Sequence, residues 1–413
     1  MNYGPVLAAA FVLWPVMAVL GGQGYAPLLG LTGIAALFLA RPRAAPPLFA
    51  LLGFAFIVWA AASEFWAPGA RQLISGSLFN GDFSVESRGL SFIVIALTSG
   101  LTIAGTLQAA PSPRASGIVA AMLGVQAALV ILSPYLSGYV LSALYGEDVK
   151  GLHEGAQNVG RGANTLALGL PLLLPMLVFG WKVPGMVLAA ALTLGAAIAY
   201  RLLGSDSALF AIAGMALAIG LVSLMPRMGF RWLFGLIGGY IAAAPVLFAA
   251  LIRGLDFIAP SLPDSFRSRI WSWEIVIGRM TDAPFLGHGL NATRSWNETF
   301  AARPEWLAQL PDFWADYRIV PGHPHNMALQ IWAETGMIGA VLAAIGLVAL
   351  GFHMPRPAEL RPEIRYAAAG LAGSAIAIFS FAYSAWNEGF WAALVLATGA
   401  IMLWHRTLGE PET

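Results

Sequence analysis

The sequence contains no cysteine in 413 residues. Disulfides, thiol nucleophiles and thiolate metal sites are therefore excluded. Charge is scarce too. Asp, Glu, Lys and Arg make up 10% of the chain, whereas a soluble domain keeps about a quarter. Lysine is nearly absent: Lys150 and Lys182 stand against 20 arginines. The net charge is +1, so no basic excess points to nucleic acid. What fills the chain is apolar. Hydrophobic residues make up 58% and the mean hydropathy is +0.74. A chain with this balance takes the bilayer as its solvent.

A helical span needs about 20 apolar residues. The sequence offers twelve candidates: 5–22, 25–40, 46–62, 89–108, 116–135, 164–180, 184–203, 206–225, 232–252, 327–351, 365–384 and 388–404. The first lacks a basic leader and a small-residue cleavage site, so it reads as a retained span. Short runs are accommodated by tilt or local thinning. The fold class is an all-α polytopic membrane protein with about twelve transmembrane helices. It divides into nine N-terminal spans (1–252), one large loop (253–325) and three C-terminal spans with a tail (326–413).

The positive-inside rule orients these spans. With a cytoplasmic N-terminus, the cytoplasmic links carry Arg41 and Arg43, Arg114, Lys182, Arg227 and Arg231, and Arg356, Arg361 and Arg365; Arg406 follows in the tail. Both ends then lie in the cytoplasm. The opposite face holds longer segments at 63–88, 136–163 and 253–325. Arginines in long loops are weakly governed by the rule and need another reason.

The third segment reads as a helix over 264–280. Pro263 and Asp264 mark its start. Ile270, Trp273, Ile277 and Met280 form one apolar stripe, widened by Trp271 and Ile275. Such a helix lies on the membrane surface or caps the bundle. Arg267 and Arg269 begin it. They either anchor at the interface or turn inward and grip phosphate through bidentate hydrogen bonds. Gly287, His288 and Gly289 then form a tight turn, and Asn291-Ala292-Thr293 spells a sequon that is common by chance.

The stretch "GHPHNMALQIWAETGMIG", 322–339, is the most informative. Pro324 disfavours helical geometry before it, and Asn326 is a good N-cap. The span starts near Met327, with His325 just outside it on the non-cytoplasmic face. Asn326, Gln330 and Glu334 recur every four residues on one helix face. Glu334 lies roughly 12 Å below Asn326, where a carboxyl is costly unless paired or protonated. That face must look into the bundle or a wet cavity. Gly336 and Gly339 admit a close neighbouring helix. His323 and His325, with Glu334 or His288, are conceivable metal ligands, but the spacing is not one that metal sites use, and His325 also reads as a plain capping residue. Arg161 and Asn164 begin the sixth span, and Arg201 ends the seventh beside Asp206. Arg161, Arg201, Arg267 and Arg269 thus gather on one face with His325, a set suited to an anionic headgroup such as a diphosphate.

These residues resemble the O-antigen ligase and polysaccharide polymerase superfamily of bacterial inner-membrane glycosyltransferases. The family signature is His, then Asn, Ser or Gln, nine residues, Gly, two residues, then Gly, Thr or Tyr. His325-Asn326, Gly336 and Gly339 match it in full. Residues 268–289 resemble the family's Arg–Trp helix leading to a Pro-x-x-Gly-x-Gly turn, with Arg269 in the arginine position. Arg161 resembles the arginine ahead of the middle spans, while Leu209 stands where a further arginine is expected. The resemblance covers the topology and roughly 155–345. It implies a GT-C-like fold and a glycan donor on undecaprenyl diphosphate. The acceptor would be a sugar hydroxyl on the lipid A core or on a growing glycan. Transfer would invert the anomeric centre at the periplasmic face, with neither metal nor cofactor. His325 would act as general base, with an imidazole near its normal pKa. The four arginines would neutralise the diphosphate, and Asn326, Gln330, Glu334, His323 and His288 would support the site. Glu334 would tune His325 or pair with an arginine.

A ligase moves a finished chain onto the lipid A core; a polymerase extends the chain on its carrier. One dominant loop before the tenth span favours the ligase. A lipid-linked oligosaccharide transporter or flippase is the reading from another class. It would show internal repeats and broken mid-membrane helices, and its charges would run along a path and not crowd one face.

Overall fold

In the computed structural model, residues 2–40, 45–68, 74–75, 84–145, 149–255 and 261–409 are described. The expected Arg41 and Arg43 link lies outside them. The described chain is helical throughout its apolar runs. Helices α1 (Gly4–Val19), α2 (Tyr25–Leu39), α3 (Leu48–Ser63) and α4 (Arg88–Leu107) are followed by α5 (Pro113–Tyr145) and α6 (Val149–Leu202). Then come α7 (Asp206–Leu224), α8 (Gly229–Leu255), α9 (Asp264–Met280), α10 (Met327–His353), α11 (Pro362–Phe381) and α12 (Glu388–Leu408). A two-residue ribbon pairs β1 (Ile74–Ser75) with β2 (Ser84–Val85), antiparallel.

Among the described residues nine helices are long and apolar enough to cross a membrane; α1 and α2 are apolar but shorter. This is a multi-pass membrane protein. The sixth and seventh expected spans form one helix, α6, broken at Lys182, where φ is 51°. Pro184 follows two residues later and has no backbone N–H to continue the helical hydrogen bonding across the break.

The expected loop 136–163 is corrected. Helix α5 continues to Tyr145 and α6 begins at Val149, so the described part of this segment is helical. Hydropathy marks where a run stops being apolar. A helix entering water keeps its internal hydrogen bonds and need not stop there.

Helix α9 takes the expected bounds and caps the bundle. Its faces divide the labour. Trp273, Val276 and Met280 join the main core of the span bundle. Trp271 instead packs with Phe300, Leu307, Leu310 and Ile319 in a second, small core, flanked by Ile275. The loop after α9 folds on this second core, held by Phe300 N–H to the Tyr317 carbonyl (3.0 Å) and Ile319 N–H to the Glu298 carbonyl (2.8 Å). Helix α9 is thereby sandwiched between two cores, which fixes the direction of its arginines.

Candidate active site

Asn326 caps α10 as expected: its side-chain oxygen accepts from Leu329 N–H at 3.0 Å. Its amide donates to the Tyr240 hydroxyl at 3.1 Å. His325, just before the cap, has φ 49°, the left-handed region that non-glycine residues avoid. Strain of this kind persists where surroundings over-determine it, and here they do. Trp273 of α9 donates to the Pro324 carbonyl at 2.9 Å. His325 N–H donates to Nδ1 of His323 at 3.1 Å.

The His325 ring is fixed by one further bond. Its Nδ1 lies 3.0 Å from the Ala382 carbonyl oxygen. A carbonyl can only accept, so Nδ1 carries the proton and Nε2 keeps its lone pair. The half-buried ring is therefore oriented as a base. Burial, and then the Arg269 guanidinium, hold its pKa down to about 4, while the Ala382 carbonyl pulls the other way. This corrects the expected near-normal value. His323 is also held well below its ordinary value by burial, then by His325, Arg294 and Arg269.

Four cations were expected here, and the structure sorts them. Arg269 is in place: its charge acts on both imidazoles, it lies over the Phe266 ring, and Asp206 at the start of α7 counters its burial. Arg161 is nearby. Its Nη1 donates to Asn158 at 3.1 Å, and its carbonyl lies 3.5 Å from the hydroxyl of Tyr383, the residue after Ala382. Tyr383 also meets Asn164, which accepts from Ser207 at 2.8 Å. Arg267 is separated from Arg269 by two residues, or about 200° around the helix. It is 6% exposed, pairs with Asp264, and falls on the side of α9 that carries Trp271. Arg201 is exposed on the last turn of α6, with no hydrogen bond or ion pair to this cluster among the described residues. Arg294 is a cation the sequence reading missed; its charge acts on His323, and its side chain stands beside Gly322.

Glu334 is fully buried. Among the described residues it meets no arginine. Its carboxylate accepts from Asn291 N–H (2.6 Å), Thr293 N–H (3.3 Å), the Thr293 hydroxyl (2.5 Å), the Gln330 amide (3.2 Å) and the Trp386 indole N–H. Gln330 in turn donates to the Ser384 hydroxyl (3.0 Å) and accepts from Ala385 N–H (2.9 Å). The polar stripe therefore braces the 382–386 link that presents the Ala382 carbonyl to His325. Ala382, Ser384 and Trp386 were absent from the sequence reading, and Thr293 stood there only as part of a sequon, because nothing local marks their role. His288 stands apart from His325: its Nε2 donates to the Arg279 carbonyl at 2.7 Å, and its ring packs on Trp296.

The glycines of the signature find their reason in the same place. At Gly336 α10 breaks, with φ 65° and ψ −168°, a conformation open essentially to glycine alone. The break frees carbonyls and amides, and buried main-chain polar groups must be paired. The turn Pro284–Gly289 pairs them. His288 N–H donates to the Ala333 carbonyl (2.9 Å) and Gly289 N–H to the Glu334 carbonyl (2.8 Å). Met337 N–H donates to the Pro284 carbonyl (2.9 Å) and Ile338 N–H to that of Phe285 (3.3 Å). Trp59 supplies the last donor, to the Thr335 carbonyl at 2.9 Å. The close neighbour expected at Gly336 is thus a loop turn and not a helix. Beside Gly339 stands Trp59 of α3.

Residues 188–344 match the family model described as O-antigen ligase. Over these residues the chain is similar to the O-antigen ligase family. The match runs from the second half of α6 through α9 to Ala344 in α10, past the break at Gly336, so it contains His325, Arg269 and the spliced turn. The superfamily consists of membrane enzymes of the glycosyltransferase type, ligases and polymerases. No curated protein and no solved structure matches the chain.

Proposed function

We propose that this protein is an inverting, metal-independent glycosyltransferase of the bacterial inner membrane. It transfers a glycan from undecaprenyl diphosphate to a sugar hydroxyl at the periplasmic face. The observation that carries the proposal is the His325 ring, with Nδ1 bonded to the Ala382 carbonyl, Nε2 without a hydrogen-bond partner among the described residues, and the Arg269 charge acting on it. The acceptor hydroxyl attacks the anomeric carbon from the face opposite the diphosphate. The acceptor oxygen bonds to carbon, the carbon–diphosphate bond breaks, and the hydroxyl proton passes to His325 Nε2. Arg269 and Arg161 meet the charge that develops on the leaving diphosphate. Asn326, Gln330 and Glu334 position and do not react. Counting α6 as two spans and adding α1 and α2 gives the twelve-span arrangement, with both termini cytoplasmic.

Among the two chemistries of the superfamily we favour the ligase, with lipid A core as acceptor. The segment 136–163 is helical where described, which leaves the 261–325 region as the one large folded insertion among the described residues. The test is a deletion strain complemented with wild type or with His325→Ala, its glycans profiled by the lipid that carries them. A ligase leaves long chains on undecaprenyl diphosphate and none on lipid A. A polymerase leaves single repeat units. Full restoration by a normally expressed His325→Ala variant contradicts the assignment of His325.

A further inference from the structure

The turn that splices into α10 carries large apolar side chains on its outer side. Phe285 is 60% and Leu286 49% exposed. Beside them lie Phe65 and Trp66, just past α3, at 80% and 40%. The two segments are joined directly: the Trp66 indole donates to the Gly287 carbonyl at 3.1 Å, and Gly289 packs against Ala67. Four large apolar residues of two segments thus form one patch. In water such a patch is unfavourable and calls for a partner.

The position of the patch identifies the partner. Helix α10 has 27 residues, about 40 Å at 1.5 Å per residue. The hydrocarbon core is about 30 Å thick. With the His353 end at one boundary, next to Arg356, the other boundary falls near Glu334 to Gly336. The spliced turn is therefore level with the membrane edge. The outward residues of α10 below it, Met337, Val341 and Ile345, are exposed and apolar, and so are Phe54 and Val58 on α3. The patch continues this lipid-facing surface without interruption. Its main chain suits that setting as well. Non-helical backbone at membrane depth is tolerated only where its polar groups are paired inside the protein, and the five bonds around Gly336 do this.

We infer that Pro284–Leu286, together with Phe65 and Trp66, is a wedge inserted among the acyl chains of the outer leaflet. Its inner side is the splice that holds Glu334 and the start of α10. The bilayer thereby grips the scaffold of the site at its base. The inference rests on the reading of α3 and α10 as membrane spans.

The absence of cysteine makes the test direct. Single cysteines are placed at Phe285, Leu286, Phe313 and Ile345 of the full chain, spin-labelled and reconstituted in phosphatidylcholine–phosphatidylglycerol vesicles. Collision with oxygen is compared with collision with a water-soluble nickel chelate. Phe313 is 60% exposed on the far loop and reports water; Ile345 reports mid-membrane. Labels at 285 and 286 are expected to favour oxygen several-fold over nickel relative to 313. Nickel access equal to that at 313, with 345 still protected, overturns the wedge alone. Nickel access at 345 as well overturns the span reading itself. Spin–spin broadening between copies at 285 overturns lipid as the occupant in favour of a second chain. Two adjacent positions guard against one variant misfolding, and each is accepted only if it elutes as wild type does.

Discussion

Gly336→Ala should disable this protein, although it adds a single methyl group. At φ 65° and ψ −168° an alanine costs about 1–3 kcal/mol in backbone conformation. The added Cβ would also lie 2.5 Å from the Gly287 nitrogen and closer still to the Phe285 carbonyl. Both neighbours are main chain and cannot rotate away. Relief requires the turn to back off, which breaks four main-chain bonds between 284–289 and 333–338. Each contributes about 1 kcal/mol net, and more when a buried partner is left unpaired. The total is on the order of 5 kcal/mol, a large share of a typical stability. Gly346→Ala in the same helix is the control, because its Cβ would find nothing nearer than 3.6 Å. Thermal unfolding of the purified protein in detergent is the assay. Gly336→Ala should unfold many degrees lower or fail to accumulate, and Gly346→Ala should match wild type. A Gly336→Ala protein as stable and as active as wild type would refute the splice.

The pH dependence of transfer follows from His325. The base works when neutral, and its pKa lies at about 4, so kcat/KM should hold from neutral pH downward and fall only as pH drops through about 4. Arg269→Met removes one of the causes of that depression and should move the acid limb upward; an unmoved limb would show that Arg269 does not act on the ring. Glu334→Gln leaves at least one buried donor without an acceptor, at about 1–3 kcal/mol each. It should lower thermal stability, and slow transfer through the displaced 382–386 link without changing KM much; a variant that alters KM alone would place Glu334 at the substrate. Arg201→Ala should leave transfer within about twofold, while Arg269→Ala should lower kcat/KM by at least tenfold, the 1.4 kcal/mol of a modest charge-assisted bond; equal effects would undo the sorting of the cations.

Much of the fold could be read from the sequence, because span formation in a bilayer depends on runs of apolar residues and little else. Helices α7, α9 and α10 fall where hydropathy and capping placed them. The reading failed where the determinant was not hydropathy: α5 extends to Tyr145 and α6 begins at Val149, so the described part of the polar segment 136–163 is helical, since a helix needs no lipid to keep its hydrogen bonds. His325 and Asn326 stood out because proline, histidine and a capping residue rarely meet at the head of an apolar run. Helical angle separates Arg267 from Arg269, and this could have been worked out from spacing alone. The partners of Glu334 could not. Thr293 and Trp386 are 41 and 52 residues away, and only tertiary structure brings them to the carboxylate. The role of Gly336 was equally hidden, since a glycine that breaks a helix and one that lets helices touch look the same in sequence.

The central claim is that His325 accepts the acceptor's proton, and transfer by the purified protein tests it most directly. Initial rates would be measured with a glycan on undecaprenyl diphosphate and lipid A core as acceptor, for wild type and for His325→Asn, a residue that can keep the Ala382 bond but cannot take a proton. The account predicts a loss of about a hundredfold or more in kcat with thermal stability and donor binding retained. A His325→Asn protein that transfers at the wild-type rate would contradict it.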